Sequence, residues 1–107
     1  MTSFQDKERA HESKYAFNKE QEFRATARRN KLFGLWAAEK MHYDEEKAAA
    51  YAKEVVVSDF EEPGEDDVFR KVQGDLQKAG LTVPEQELRT KMSELMVIAR
   101  EQISEEA

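Results

Sequence analysis

The chain has no cysteine, so neither a disulfide framework nor a thiolate metal site is available, and a reducing cytoplasm is the compartment this usage suits. Two prolines and four glycines in 107 residues are too few to punctuate a series of short strands. No apolar run approaches the roughly 18 residues that a membrane-spanning helix needs. The opening "MTSFQDKERA" also lacks the apolar stretch of a signal peptide, so the expectation is a chain neither exported nor inserted into a membrane. The glycines stand singly at Gly34, Gly64, Gly74 and Gly80, which excludes a glycine-rich phosphate loop, and there is neither a nucleophile motif nor an HExxH pair. An enzyme is therefore not expected, and no cofactor or metal is implied. His11 and His42 lie too far apart in sequence to suggest a shared ligand set, and His42 suits a loop or the end of a helix.

Charged residues make up 37% of the chain and hydrophobic ones 39%, which describes a thin core with a solvated remainder. The net charge of -6 is unevenly spread. Met1 to Phe33 hold eight Lys/Arg against five Asp/Glu, whereas Gly34 to Ala107 hold nine against eighteen, so the two parts are suited to different partners. Large hydrophobes are equally uneven: the first 22 positions offer Met1, Phe4, Tyr15 and Phe17, without a continuous stripe. Such a segment cannot bury itself, and it reads as a mobile or partly helical arm, 1–22, ahead of a bundle, 23–107.

Ala/Glu/Lys/Leu/Arg-rich stretches favour helix throughout. Breaks fall at "MHYDEE", where Asp44 can cap a helix whose first turn carries Glu45 and Glu46, and at the Pro63-Gly64 turn. Gly80 suits a helix C-terminus, and Thr82 and Glu85 stand at capping-box spacing with Pro84 in the first turn of the next helix. Three apolar stripes follow at helical spacing: Ala48, Ala52, Val55, Val56 and Phe60; Val68, Phe69, Val72, Leu76 and Ala79; Leu88, Met92, Leu95, Ala99 and Ile103. The Val55-Val56-Val57 run is too short to override that pattern as a strand. The expected fold is all-α, a four-helix bundle with short loops.

Within "RRNKLFGLWAAEKM" the chain changes from polar to wholly apolar at Leu32. A segment apolar on every face should run through the bundle centre, which puts Trp36 inside and "RATARRNK" in solvent. Gly34 and Gly74 suggest close helix approach. The acidic group Glu61, Glu62, Glu65, Asp66 and Asp67 lacks the alternating ligand positions of a calcium loop and reads as a solvated turn complementing a helix N-terminus. Arg24, Arg28, Arg29 and Lys31 raise a rival reading, a nucleic-acid or protein adaptor using the basic Arg24-Lys31 face. Four such charges in an acidic chain fall short of the usual nucleic-acid footprint, however, and nucleic acid is not the expected partner.

The blocks "ATARRNKLFGLWAAEKM", "AYAKEVVVSDFEEPGEDDVFRKV" and "LRTKMSEL", preceded by the mixed-charge "FQDKERAHESKYAF", resemble the zeta subunit, the inhibitor protein of certain bacterial F-type ATP synthases. The likeness spans nearly the whole chain. It implies a four-helix bundle whose N-terminal segment enters the catalytic interface of the synthase head, formed by alpha, beta and gamma subunits, and stops ATP hydrolysis. It also implies a monomer when free, in the bacterial cytoplasm and peripheral to the inner membrane through the synthase. On that reading Phe4, Tyr15 and Phe17 are the apolar anchors of the arm, Arg9 and Lys14 pair with acidic groups, and Asp6 or Glu8 supports the start of its helix.

Overall fold

The structure, a computed structural model, describes residues 18–61 and 64–106, and every described element is a helix. In chain order these are α1 (Lys19–Lys40), α2 (Glu45–Glu61), α3 (Glu65–Lys78) and α4 (Glu85–Glu106). Helix α1 is the hub, packing along both α2 and α4, while α3 closes one end against α2, α1 and α4.

Each helix end has a local cause. Asn18 caps α1 by a reciprocal capping box: its side chain accepts from the Gln21 backbone N–H at 2.8 Å, and the Gln21 side chain accepts from the Asn18 backbone N–H at 3.2 Å. The helix bearing Phe23 thus begins at Lys19, within the segment assigned from composition to the arm. At its other end His42 adopts a positive φ of 61°. The Tyr43 N–H reaches back to the Ala38 carbonyl and the His42 N–H to that of Glu39, a Schellman closure with histidine where glycine is usual. Gly80, φ 82°, performs the same closure for α3 through Leu81 N–H to Leu76 and Gly80 N–H to Gln77. Asp44 caps α2 as expected, accepting from the Lys47 N–H at 2.8 Å. Gly64 leaves α3 without a side-chain cap, and Glu65, Asp66 and Asp67 in its first turn face the positive end of its dipole instead. Pro84 sits just ahead of α4 and not inside its first turn, its carbonyl accepting from the Leu88 N–H.

The core joins Phe33, Ala37 and Ala38 of α1, Tyr51 and Val55 of α2, Val68, Phe69, Val72 and Leu76 of α3, and Leu88 and Met92 of α4. The α3 and α4 stripes are thus largely the ones their spacing predicts, although Leu95 is half-buried and Ala79 is exposed.

Four expectations are corrected. Trp36 is half-buried at the edge of the core, stacked on Phe33 at 5.7 Å and flanked by the ammonium groups of Lys40 and Lys91. Among the described residues, neighbouring helices do not surround α1 completely, so an all-round apolar segment still keeps an open side. The polar stretch before Leu32 is not uniformly solvated: Ala25, Arg29 and Asn30 are buried, because they continue the stripe of Phe33, Gly34, Ala37 and Ala38 by one to two turns. Phe60, assigned to the core stripe of α2, is 52% exposed. Gly74 has open space where a Cβ would stand. Gly34, by contrast, would put one 2.8 Å from the Ala52 Cα, so close helix approach explains Gly34 alone.

Candidate functional site

All seven residues proposed for partner binding, Phe4, Asp6, Glu8, Arg9, Lys14, Tyr15 and Phe17, lie outside the described residues, as does His11. What the structure places is the root from which that segment departs. The capped N-terminus at Asn18, Lys19 and Glu20 is exposed.

Just inside this root, Phe23 of α1 and Phe60 of α2 stack across the helix pair with centroids 5.5 Å apart and planes 16° apart. Both remain largely in solvent, at 56% and 52% exposure. An exposed aromatic pair at this spacing is favourable by about 0.5–1.5 kcal/mol beyond its area, yet it leaves a large apolar surface wet. Beside Phe23 runs an open groove of about 310 Å³, lined by Ala27, Val56 and Ile103 with Arg24, Arg28 and Lys31 around it.

The electrostatics of this region come from α4. Glu106 accepts from Arg24 at 3.2 Å and also pairs with Arg28, whose other nitrogen donates to Gln102 at 2.7 Å. Two residues before Arg24 on α1, Glu22 accepts from Arg100 at 2.6 Å. The first half of α1 buries Ala25, Arg29 and Asn30, the end of α4 buries Ala99 and Ile103, and these partly exposed ion pairs add a modest contribution between them.

Arg29 is turned inward at 6% exposure, its Nε–H donating to Asn30 Oδ1 at 2.7 Å. Burial lowers its pKa, partly offset by attraction from Glu65 and Asp59, with Arg100 adding repulsion. Among the described residues, Asn30 Nδ2 and Arg100 Nε are buried without a hydrogen-bond partner. Of the four cations in the rival basic face, one is therefore interior and two are occupied by Glu106. Lys31 is exposed and makes no ion pair among the described residues. That dispersal leaves among the described residues no continuous positive surface of the extent a nucleic-acid partner needs.

The acidic turn and the Tyr51 hydroxyl are engaged within the bundle. The described carboxylates of the acidic turn meet arginines: Arg89 pairs with Asp66 at 3.0 Å while its guanidinium stacks over Phe69 at 3.9 Å, and Asp67 pairs with Arg70. Among the described residues no group of three His, Cys, Asp or Glu is placed to hold a metal ion. The Tyr51 hydroxyl, buried, donates to Asp75 Oδ2 at 2.8 Å, and Lys71 donates to the same oxygen at 3.2 Å. Burial, then the hydrogen bond to the carboxylate and its negative charge, raises the Tyr51 pKa well above its usual 10.0. The chemistry available near the root is thus recognition by apolar contact and charge.

Sequence reasoning missed the Asn18 and Gln21 cap, although Asn-x-x-Gln before a helix is a readable signal. It also missed the Phe23–Phe60 stack, for which no local signal exists because the partners are on different helices.

A family model described as ATPase inhibitor subunit zeta matches residues 1–102. No curated protein matches the chain. Among solved structures, one determined by NMR in solution is 50% identical, the match covering 79% of this chain and 96% of that one with a TM-score of 0.69. Among the described residues no helix is long and apolar enough to cross a membrane.

Proposed function

The chain belongs to the ATPase inhibitor subunit zeta family, and from that premise we propose that it restrains ATP hydrolysis by the bacterial F-type ATP synthase, its N-terminal segment, 1–22, inserting into the catalytic interface of the synthase head. The protein acts as a regulator and not as a catalyst, in the cytoplasm and peripheral to the membrane through the synthase. Inhibition is obstruction: a segment lodged between alpha, beta and gamma subunits that must open and close during rotation raises the barrier to the hydrolytic cycle. Ordering such a segment costs about 2–5 kcal/mol, which a few anchors must recover. Phe4, Tyr15 and Phe17 supply apolar contact, Arg9 and Lys14 meet acidic groups, and Asp6 and Glu8 support the helix start.

The observation that carries this reading is the capped start of α1. The reciprocal Asn18–Gln21 box closes the bundle helix at its own N-terminus, and among the described residues the core begins at Ala25, which supports an arm that lies ahead of the packed bundle. The test is ATP hydrolysis by isolated synthase head with the full chain and with a variant lacking residues 1–17, alongside circular dichroism of both. The expected result is a truncated protein that keeps a cooperative helical melt and no longer inhibits. A truncated protein that inhibits as well as the full chain overturns the arm mechanism.

A further inference from the structure

We propose that the groove beside Phe23 is a second docking surface, taking a segment at the mouth of the synthase cleft that presents an apolar side chain flanked by carboxylates. This rests on the arm-insertion reading and deepens it. Three observations converge on such an occupant.

The first is continuity. Phe23 lies five residues after the Asn18 cap, at the end of α1 to which residues 1–17 are joined, so on the arm reading this is the bundle surface nearest in sequence to the binding segment. The second is apolar exposure built by two helices. Phe23 and Phe60 stack at 5.5 Å, more than half exposed, and beside Phe23 Ala27, Val56 and Ile103 floor the groove of about 310 Å³. That is room for one or two side chains, and aromatics in such a place are the residue type that dominates interfaces.

The third is charge. Every charged residue lining the groove is basic: Arg24, Arg28 and Lys31. Two of them already hold a carboxylate, since Glu106, at the last turn of α4, pairs with both Arg24 and Arg28. Glu106 shows which chemistry the arginines accept, and it is 40% exposed, so a partner carboxylate can replace it without burying a charge alone. Lys31, exposed and without an ion pair among the described residues, is the position that gains most from an acidic neighbour. The terminal carboxylate of α4 thereby acts as an internal competitor for the partner.

The test uses the full-length chain with Phe60→Ala, Lys31→Glu and Glu106→Gln, measuring affinity for isolated synthase head and maximal inhibition of hydrolysis at saturation. Lys31 is exposed and without an ion pair among the described residues, so Lys31→Glu should melt as the native chain does, whereas Phe60→Ala gives up the stack on Phe23 and should melt a few degrees lower; a cooperative transition in each verifies that the variant is folded. Phe60→Ala and Lys31→Glu should each weaken binding about 10-fold with maximal inhibition retained. Glu106→Gln should tighten it about 3-fold by freeing the arginines. Unchanged affinity in Phe60→Ala and Lys31→Glu, with inhibition intact, overturns the groove while leaving arm insertion standing. Absence of inhibition by the unmodified chain instead removes the arm reading itself. Two other occupants would also overturn the proposal: a concentration-dependent dimer abolished by Phe60→Ala assigns the groove to a second copy, and NMR shifts at Val56 and Phe60 on deleting residues 1–17 from the free protein assign it to the chain's own N-terminal segment.

Discussion

Replacing Gly34 and Gly74 separately by alanine sets one chemical change in two environments. Each glycine lies inside a helix, where alanine is better by about 1 kcal/mol, so the propensity gain is common to both variants. What differs is space. At Gly74 an added Cβ meets nothing within 4 Å, and the variant should be more stable by about 0.5–1 kcal/mol. At Gly34 it would stand 2.8 Å from the Ala52 Cα, 3.2 Å from Val55 Cγ2 and 3.3 Å from Ala52 Cβ. The nearest atom is backbone and cannot rotate away, so α1 and α2 must separate until that contact reaches the 3.4 Å at which ordinary van der Waals distances begin. Overpacking of this kind costs about 1–3 kcal/mol, which offsets or exceeds the propensity gain. The two variants should therefore differ by about 1–3 kcal/mol, Gly74→Ala being the more stable, and at about 4–8 °C per kcal/mol the gap is visible in thermal melts. Urea denaturation followed by circular dichroism, with unchanged m values, measures it directly. Separation of α1 from α2 should also loosen the Phe23–Phe60 stack, which bridges the same helix pair. Equal stabilisation by the two substitutions would refute the seam geometry on which this reasoning depends.

Two further outcomes follow from the buried aromatics. Because the folded-state pKa of Tyr51 is raised by burial and by Asp75, its contribution is fully present below pH 10.0 and is lost as pH rises beyond that value. Urea titrations at stepped pH should show the stability advantage of the native chain over Tyr51→Phe shrinking by up to about 1.4 kcal/mol per pH unit above 10, and a constant difference would count against the assignment. Trp36→Ala should cost about 1.5–3 kcal/mol, below the 3–5 typical of a fully buried tryptophan, and acrylamide should quench Trp36 fluorescence partially; complete protection would mean that the indole is central after all.

Residues that answer to their near neighbours were readable from the chain alone. Asp44 ahead of Glu45 and Glu46, Gly80 after Leu76, and the four-residue recurrence of Val68, Val72 and Leu76 each specify a cap, a stop or a face within one or two turns, and each appears as expected. The family was legible too, since it depends on ordered blocks of sequence. The candidate site was less so, because an exposed surface arises between elements. Phe60 has the right spacing for a core stripe and is nevertheless exposed, since only the packing of α1 on α2 determines where that stripe runs out of neighbours.

By itself, then, the sequence determined the start of α2 at Asp44, the stop of α3 at Gly80, which faces of α3 and α4 are apolar, and the absence of cysteine chemistry, all consequences of backbone geometry and side-chain type acting over a few residues. Tertiary structure alone decided which of those apolar positions are covered. It brought Arg29 and Asn30 inside because they follow Ala25 on the inward stripe of α1, left Trp36 at an open edge because no helix among the described residues closes that side, and drew Arg24 and Arg28 onto Glu106 from the far end of the chain. Burial and ion pairing depend on which surfaces meet, and residues separated by 78 or 82 positions meet only once the helices have packed.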